Sequence, residues 1–337
     1  MAHKSIEKVA VVIPNLNGEK HLAAAIDSLL SQTQPHTIFV VENASTDGSM
    51  EILKKYGDKI VILQNNKNLG FAGGVNTGIR AALAHNFDAV ALFNNDAVAE
   101  KTWLPQLVDI LNEKTDVGIV TCSIQKEDGR ELDSTGEFYT TWGLPFPRGR
   151  GKTIETQSKP EYVFGASGGA SLYRAVMLHE IGLFDELFFA YYEDVDISFR
   201  AQLAGWKVYF NPHSVVYHKI GQTSSRLGSG FTVYQTFKNL PLLYIKDVPL
   251  GLLFPVGLRF YFAYWLIAGR AMIRGHGIST VKGIIASFFL GFAALSKRWS
   301  IQQRKKVSAK YINSILIHDL PPDQAGLRKL RKAFIGK

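Results

Sequence analysis

Apolar and polar positions follow two rhythms over the first 125 residues. The run Val9 to Ile13 is continuously apolar, as a buried strand requires. Leu22, Ala25, Ile26, Leu29 and Leu30 then recur at i, i+3, i+4, i+7 and i+8, the stripe of an amphipathic helix. The pattern repeats as strand Ile38 to Val41, helix Ser49 to Tyr56, strand Ile60 to Leu63, helix Gly73 to Ala84 and strand Ala89 to Phe93. Strands and helices alternating at this pace predict βαβ units, and therefore an α/β fold on a mostly parallel sheet. Such sheets bind ligands beyond the carboxyl ends of their strands.

The segments just after the strands are polar: PNLNGE, ENASTDGS, QNNKNLGFAGG and NNDA. Each alone is good turn material. Together they converge on one rim of the sheet and describe a nucleotide-sized polar site. Residues 126–160, charged and rich in Gly and Pro, read as a long excursion over the surface. Regular structure is expected to resume at Tyr162 with a glycine-rich turn and a carboxylate cluster, Glu193, Asp194 and Asp196, opening a helix. That helix carries Val195, Phe199 and Leu203 on one face and ends at Gly205, before a strand Lys207 to Phe210.

Seven stretches, VVIPNLN, VVENASTDGS, NKNLGFAGGVNTGI, LFNNDA, FGASGGASLYR, FFAYYEDVDISFRAQLAGW and VVYHKIGQTS, stand in this order over roughly residues 8 to 225. In them the chain resembles glycosyltransferase family 2, in particular its rhamnosyltransferase-like branch. The resemblance implies a nucleotide-binding αβα sandwich of the glycosyltransferase A type. It also implies an inverting, metal-dependent hexosyltransferase, with Mg²⁺ or Mn²⁺ as cofactor and a dTDP- or UDP-linked sugar, L-rhamnose among the candidates, as donor.

Carried over residue by residue, the resemblance places Pro14, Asn15, Asn17, Glu42, Lys67, Asn68, Gly70, Phe71, Asn76, Asn95, Asp96, Gly168 and Gly169 around the donor. Glu42 stands where the family has aspartate, and a carboxylate there accepts the N3–H of a pyrimidine base. Asp47 and Ser45, nearby, read more simply as caps of the helix at Ser49. Lys67 either neutralises phosphate or is solvated. Asn94, Asn95 and Asp96 fill the place of the family's DxD motif with a single carboxylate, Asp96, for a hard cation; His218 either completes the metal shell or is a packing histidine. Inversion needs one carboxylate to take the acceptor's hydroxyl proton. The resemblance gives that role to Asp194 and sets Tyr192 and Glu193 beside the acceptor. Acids in a first helical turn are also ordinary dipole partners, the alternative for Glu193 and Asp196; Tyr191 and Tyr192 either stack on sugar or belong to the core.

Composition adds a location. The net charge of +9 sits entirely in residues 297–337, which hold eleven Lys/Arg and two Asp, so the rest of the chain is neutral. The stretch before that tail is apolar and aromatic (VPLGLLFPVGL, FYFAYWLIAG, GIIASFFLGFAALS), which favours an anionic membrane over nucleic acid as partner. Pro249, Pro255 and the glycines at 251, 257 and 269 disfavour one straight span. The expectation is interfacial helices, with Lys297, Arg298, Arg304, Lys305 and Lys306 on headgroups. The single cysteine, Cys122, and the absence of an apolar leader suit the cytoplasmic face of the cell membrane. A lipid-linked glycan is then the natural acceptor. The predicted division is a catalytic domain over residues 1–235 and a membrane-associating helical segment with a basic tail over 236–337. A GxxxxGK[ST] loop, a GxGxxG turn and a GxGTRL-like run are all missing, which argues against ATPases, dinucleotide oxidoreductases and sugar nucleotidyltransferases. The last, and a non-catalytic membrane-bound carbohydrate-binding or scaffold subunit, are the alternatives.

Overall fold

The computed structural model describes residues 5–218 and 229–321. The motif residues Lys219 to Ser225 and the basic residues beyond 321 lie outside the described residues. The chain divides into two compact units, Met1–Glu137 with Pro147–Gln222, and Phe138–Phe146 with Thr223–Lys337.

The first unit opens with β1 (Val9–Asn15), α1 (Leu22–Leu30), β2 (Thr37–Glu42), α2 (Ser49–Lys54), β3 (Val61–Gln64), α3 (Gly70–Ala84) and β4 (Ala89–Phe93). It continues through β5 (Ala97–Ala99), α4 (Trp103–Glu113), β6 (Val117–Lys126) and β7 (Leu132–Ser134). Strands β8 (Glu137–Tyr139) and β9 (Pro145–Pro147) pair as a separate ribbon, and β10 (Glu161–Val163), β11 (Ala170–Arg174), α5 (Ala175–Ile181), α6 (Glu193–Leu203) and β12 (Lys207–His218) complete it. The large sheet runs β10-β12-β6-β11-β4-β1-β2-β3. Its β3-β2-β1-β4 half is parallel, β11 is inserted antiparallel, and β12 returns parallel to β6.

Alternation along the strands divides the core into two layers. Val9, Val11 and Ile13 face one, with Leu22, Ile26 and Leu29 of α1 and Trp103, Leu107 and Leu111 of α4. Ala10 and Val12 face the other, with Val75 and Ile79 of α3, Met177 of α5 and Ile197 of α6. This is the expected αβα sandwich. The strand order reverses between β1 and β4, so their carboxyl ends bound the crevice where such sheets take ligands.

Residues 126–160 depart from the expected surface excursion. The backbone of 148–152 ladders onto 132–136: Thr135 N donates to Arg148 O (2.9 Å), Arg148 N to Gly136 O (2.8 Å), and Leu132 N to Lys152 O (2.9 Å). Asp133, Ser134, Thr135, Glu137 and Arg148 are buried. Asp133 pairs with His218 and Arg150, and Arg148 with Glu161, while Glu127, Asp128, Arg130, Lys152, Glu155 and Lys159 stay exposed; composition alone does not separate the two groups.

The second unit is helical: α7 (Ser229–Asp247), α8 (Leu250–Ala271), α9 (Gly277–Gln303) and α10 (Ala309–Ile315). The predicted boundary at 235/236 falls inside α7. Phe138–Phe146 belongs with these helices because its backbone bonds to Ile317 on both sides, Thr141 N to Ile317 O and Ile317 N to Tyr139 O, each 2.9 Å. Leu250 to Gln303 is long and apolar enough to cross a membrane by length and composition, but a bend at Gly275 (φ 86°) separates α8 from α9. The buried face of α9 is small or polar: Thr280, Gly283, Ser287, Gly291 and Ala294. Its exposed face carries Ile285, Phe288, Phe289, Phe292, Leu295 and Trp299. Arg298, expected at headgroups, instead donates to Ile245 O and Val248 O, both at 2.7 Å, closing the end of α7.

Candidate functional site

The rim of the crevice is built by side-chain amides. Asn15, at the end of β1, donates to Glu42 Oε2 (2.7 Å) at the end of β2 and accepts from Asn95 Nδ2 (2.8 Å) after β4. Three strand ends are thus joined by two hydrogen bonds. Glu42 is buried, and its other oxygen accepts the Ser45 N–H at 2.7 Å; each carboxylate oxygen keeps a further lone pair for a base edge. Only glycine fits at 18, because a Cβ there would lie 2.1 Å from Asn15 Oδ1 and 2.5 Å from Asn95 Nδ2. Pro14 is half-buried beside this network. Asn17 donates its N–H to Ser45 Oγ (2.9 Å) and accepts from Thr46 N (2.8 Å). Asp47 accepts from Ser49 N and Oγ, as expected of a cap.

The loop after β3 is held by a residue the sequence reading passed over. Asn43 accepts from Leu69 N (3.1 Å) and Asn65 Nδ2 (3.1 Å), and donates to Gly70 O (3.0 Å) and Asn68 Oδ1 (3.1 Å). Asn68 in turn accepts the Gly70 N–H at 2.8 Å. Lys67 is exposed at the tip of this loop. Asn76 is buried, donates to Phe184 O (2.8 Å) and Glu186 Oε1 (2.9 Å), and accepts from Phe184 N (3.0 Å). It therefore clasps the loop before α6.

Beyond β4, Asp96 Oδ1 lies 3.0 Å from His218 Nε2, and His218 Nδ1 lies 2.9 Å from Asp133 Oδ2. Asn94 Nδ2 is 3.4 Å from the same Nε2. Burial opposes a charge on the imidazole, but the hydrogen bonds to Asp133 and Asp96 outweigh it and lift its pKa to about 9. Asp133 moves the other way: burial raises it, and the bonds to His218 together with the Arg150 charge bring it below the usual carboxylate range. Among the described residues no three acidic, His or Cys side chains cluster around one point. A carboxylate oxygen and an imidazole nitrogen at 3.0 Å, oriented by Asp133 behind, nonetheless suit a divalent cation held by two protein ligands, with its other positions left to diphosphate and water.

Between the metal candidates and the base candidate lies the turn Ser167 to Gly169. Gly169 O accepts the Asn94 N–H at 2.9 Å, and Gly168 N donates to Asp194 Oδ2 at 3.0 Å. Asp194 Oδ1 accepts the Val195 N–H at 2.8 Å. Burial raises the Asp194 pKa, and these backbone bonds hold part of the rise back. A Cβ at Gly168 would touch both the Phe71 ring (3.2 Å) and Asp194 Cβ (3.4 Å), so the loop after β3, this turn and Asp194 are packed against one another.

The approach to α6 is strained. Phe189, Tyr191 and Tyr192 all have positive φ, between 62° and 71°. Phe189 O accepts the Ala72 N–H (3.1 Å) and covers Gly70, where φ is 72° and a Cβ would fall 2.3 Å from that oxygen. Tyr191 and Tyr192 are half-buried, and Glu193 is buried at the first position of α6. Asp196 is fully buried on Arg200 Nε (2.9 Å) and Nη2 (2.8 Å), and Arg200 also binds the Ile181 and Leu183 carbonyls. Asp133, Glu137 and Arg150 are the further groups here that the sequence reading missed; the only signal for them was three acids spaced through ELDSTGEF.

Comparison with known proteins follows from this geometry. A family model described as Glycosyl transferase family 2 matches residues 10–182. An N-acetylglucosaminyl-diphospho-decaprenol L-rhamnosyltransferase of Mycobacterium tuberculosis is 28% identical over 227 residues, covering 60% of this chain and 73% of its own. The low-salt glycan biosynthesis hexosyltransferase Agl10 of Haloferax volcanii is 26% identical over 239 residues, covering 69% and 74%. Among solved structures, S. aureus TarS 1-349 in complex with UDP-GlcNAc superposes with a TM-score of 0.56 at 17% identity, covering 88% of this chain and 90% of that one. GalNAc-T7 with UDP, GalNAc and Mn²⁺ gives 0.56 at 18% identity, and there the chain covers 48% of the neighbour. A longer TarS chain, 18% identical with a TM-score of 0.50, is covered to 40%. These likenesses show the fold, the glycosyltransferase A sandwich expected from the motifs.

Proposed function

The chain belongs to glycosyl transferase family 2, and from that premise we propose that it moves a sugar, with L-rhamnose the first candidate, from a pyrimidine nucleoside diphosphate to a hydroxyl of a lipid-linked glycan, with inversion. The observation carrying this reading is the Gly168–Gly169 turn, bonded on one side to Asn94 beside Asp96 and on the other to Asp194. It sets a candidate cation site and a candidate base on either side of one floor, the arrangement an in-line displacement needs.

In this reading Asp96 and His218 hold Mg²⁺ or Mn²⁺, which acts when bound as a Lewis acid on the leaving diphosphate. Glu42, aligned by Asn15 and Ser45, accepts the base N3–H. Asn68, Gly70 and Phe71 cover the ribose and diphosphate, while Gly168 and Gly169 leave room for the sugar. Asp194 takes the acceptor's hydroxyl proton as its oxygen attacks the anomeric carbon; the N–H groups of Gly168 and Val195 fix the carboxylate so that one lone pair faces the acceptor. Tyr192 and Glu193 border the acceptor. Rhamnose and a lipid diphosphate acceptor are supported by the name of the mycobacterial relative, a uridine donor and Mn²⁺ by the titles of the structural neighbours.

The second unit supports a membrane-borne acceptor. A helix that buries Gly283 and Gly291 while exposing Phe288, Phe292 and Trp299 is inverted relative to a water-soluble helix. Taking each large side chain out of water is worth about 1.5–3 kcal/mol. The helices lie in the surface of the cytoplasmic leaflet, and the whole is a catalytic domain followed by a membrane-associating segment.

A screen of UDP- and dTDP-sugars with a polyprenyl-diphosphate glycan, in Mn²⁺, Mg²⁺ or EDTA, tests the reading. One donor should be turned over with metal and not in EDTA. Failure to release nucleoside diphosphate from any of them, or full turnover in EDTA, overturns it.

A further inference from the structure

Arg150 closes a chain of contacts that begins at the cation site: Asp96 Oδ1 to His218 Nε2 (3.0 Å), His218 Nδ1 to Asp133 Oδ2 (2.9 Å), Asp133 Oδ1 to Arg150 Nη2 (3.1 Å). Its Nε donates to Asp133 O at 3.2 Å. The ladder between 132–136 and 148–152 fixes its backbone opposite Asp133, so the side chain is tied at main chain, Nε and one Nη. Yet 58% of that side chain remains exposed. A guanidinium has five N–H donors in a rigid fork; Nε hydrogen-bonds the Asp133 carbonyl, Nη2 lies at ion-pair distance from Asp133 Oδ1, and the structure gives the others no protein partner among the described residues. Arg148, two residues earlier, is its opposite: 4% exposed, its guanidinium on Thr135 Oγ1 (2.7 Å) and on Glu161.

The surroundings say what those free donors are for. Asp96, Asp133, Glu137, Glu193 and Asp194 put five carboxyl groups around the rim. Burial lifts the pKa of Glu137 well up, with Asp194 adding to the rise and Arg150 opposing it. A diphosphate brought beside Asp96 and Asp133 needs a cationic partner of its own besides the divalent cation. A planar fork already oriented by a carboxylate is the group that recognises phosphate oxygens in pairs.

We propose that Arg150 is a substrate-binding residue that takes the diphosphate group, holding it beside the cation site with the donors Asp133 leaves free. This rests on the glycosyltransferase reading. Two diphosphates are available to it, the nucleoside diphosphate of the donor and the diphosphate linker of a lipid acceptor, and both present the same chemistry.

The test uses the full-length protein in EDTA, so that cation binding at Asp96 and His218 drops out of the comparison. Dissociation constants are measured for UDP against UMP and for dTDP against dTMP. Wild type should prefer the diphosphate of its own base. In Arg150→Gln that preference should fall about tenfold or more, the loss of a charge-assisted contact, with monophosphate affinity unchanged, and Arg150→Lys should recover part of it. A preserved diphosphate preference in EDTA, with a raised KM, measured in turnover with Mn²⁺, for a polyprenyl-diphosphate acceptor and an unchanged KM for a phosphate-free glycoside, assigns Arg150 to the acceptor instead. If Arg150→Gln leaves both ratios intact and weakens only Mn²⁺ binding, Arg150 merely buttresses Asp133 and the proposal is overturned. A wild type that discriminates neither the nucleotide pairs in EDTA nor the acceptor pair in Mn²⁺ overturns it, whereas the glycosyltransferase reading falls only if no donor is turned over with metal.

Discussion

At the scale of single residues, the proposed chemistry turns on a half-buried carboxyl that must be ionised to act. Asp194 is pushed up by burial, and the N–H groups of Gly168 and Val195, with the Arg150 charge, limit the rise. A base must be ionised to act, and a raised pKa means that ionisation is lost at a higher pH than for an ordinary aspartate, about 3.9. The acid limb of the kcat profile should therefore lie above the usual aspartate range, activity falling as pH drops through it. Removing the Gly168 or Val195 bond is not possible by side-chain substitution, but Arg150→Gln removes one of the opposing charges and should move the limb further up. A limb at or below the ordinary aspartate value would show that Asp194 is not the titrating group. His218 illustrates the complementary case: two carboxylates lift its pKa to about 9 in spite of burial. Asp133→Ala should accordingly weaken Mn²⁺ affinity about 10–100-fold, as loss of a partner behind a metal-ligating histidine does, measured by metal titration of turnover; unchanged affinity would remove Asp133 from the site.

At the scale of elements, Asp194, the proposed base, is placed by packing against Phe71 of the loop after β3 across Gly168. The start of α3 and the strained turn before α6 meet at Phe189 O, which covers Gly70 and accepts the Ala72 N–H, and Asn76 of α3 clasps Phe184 on the same turn. Gly70→Ala puts a Cβ at positive φ against a backbone oxygen, and should cost about 1–3 kcal/mol, read as a lowered Tm with a larger loss in turnover than in nucleotide affinity. An unshifted Tm would mean the turn yields freely. Which of these features were legible follows from their range. The helices α1 and α3 and strands β1 to β4 were readable because each is fixed by its own apolar period; Leu22, Ile26 and Leu29 sit in the core as the spacing required. Asp96 and His218 were readable as motif members, although 122 residues separate them. Asp133 and Arg150 were not, because their roles depend on a backbone ladder between two polar segments with no apolar alternation to announce it. The clasp of Asn76 on Phe184 was not legible for the related reason that a buried amide serving a distant turn and one serving a ligand look alike in sequence.

At the scale of the whole molecule, the two units divide the labour in composition: polar loops around a strand rim in one, outward-facing aromatics in the other. Replacing Phe288, Phe292 and Trp299 with serine should abolish flotation of the full-length protein with anionic vesicles while leaving its circular dichroism spectrum and Tm nearly unchanged, since these side chains are 66–71% exposed and hold no core. Wild type that fails to float would remove the membrane from the picture; release of bound wild type by high salt would mark the helices as interfacial, release by detergent alone as inserted. The catalytic claim is tested most directly by transfer from the identified nucleotide sugar to its acceptor, followed in wild type and Asp194→Asn at saturating metal, with nucleotide affinity measured alongside. The expected result is a product of inverted anomeric configuration from wild type, and in the variant a fall in kcat of about 10²–10⁴-fold, the usual range for a lost general base, with nucleotide binding nearly intact. A retained configuration, or a variant that turns over as fast as wild type, would contradict it.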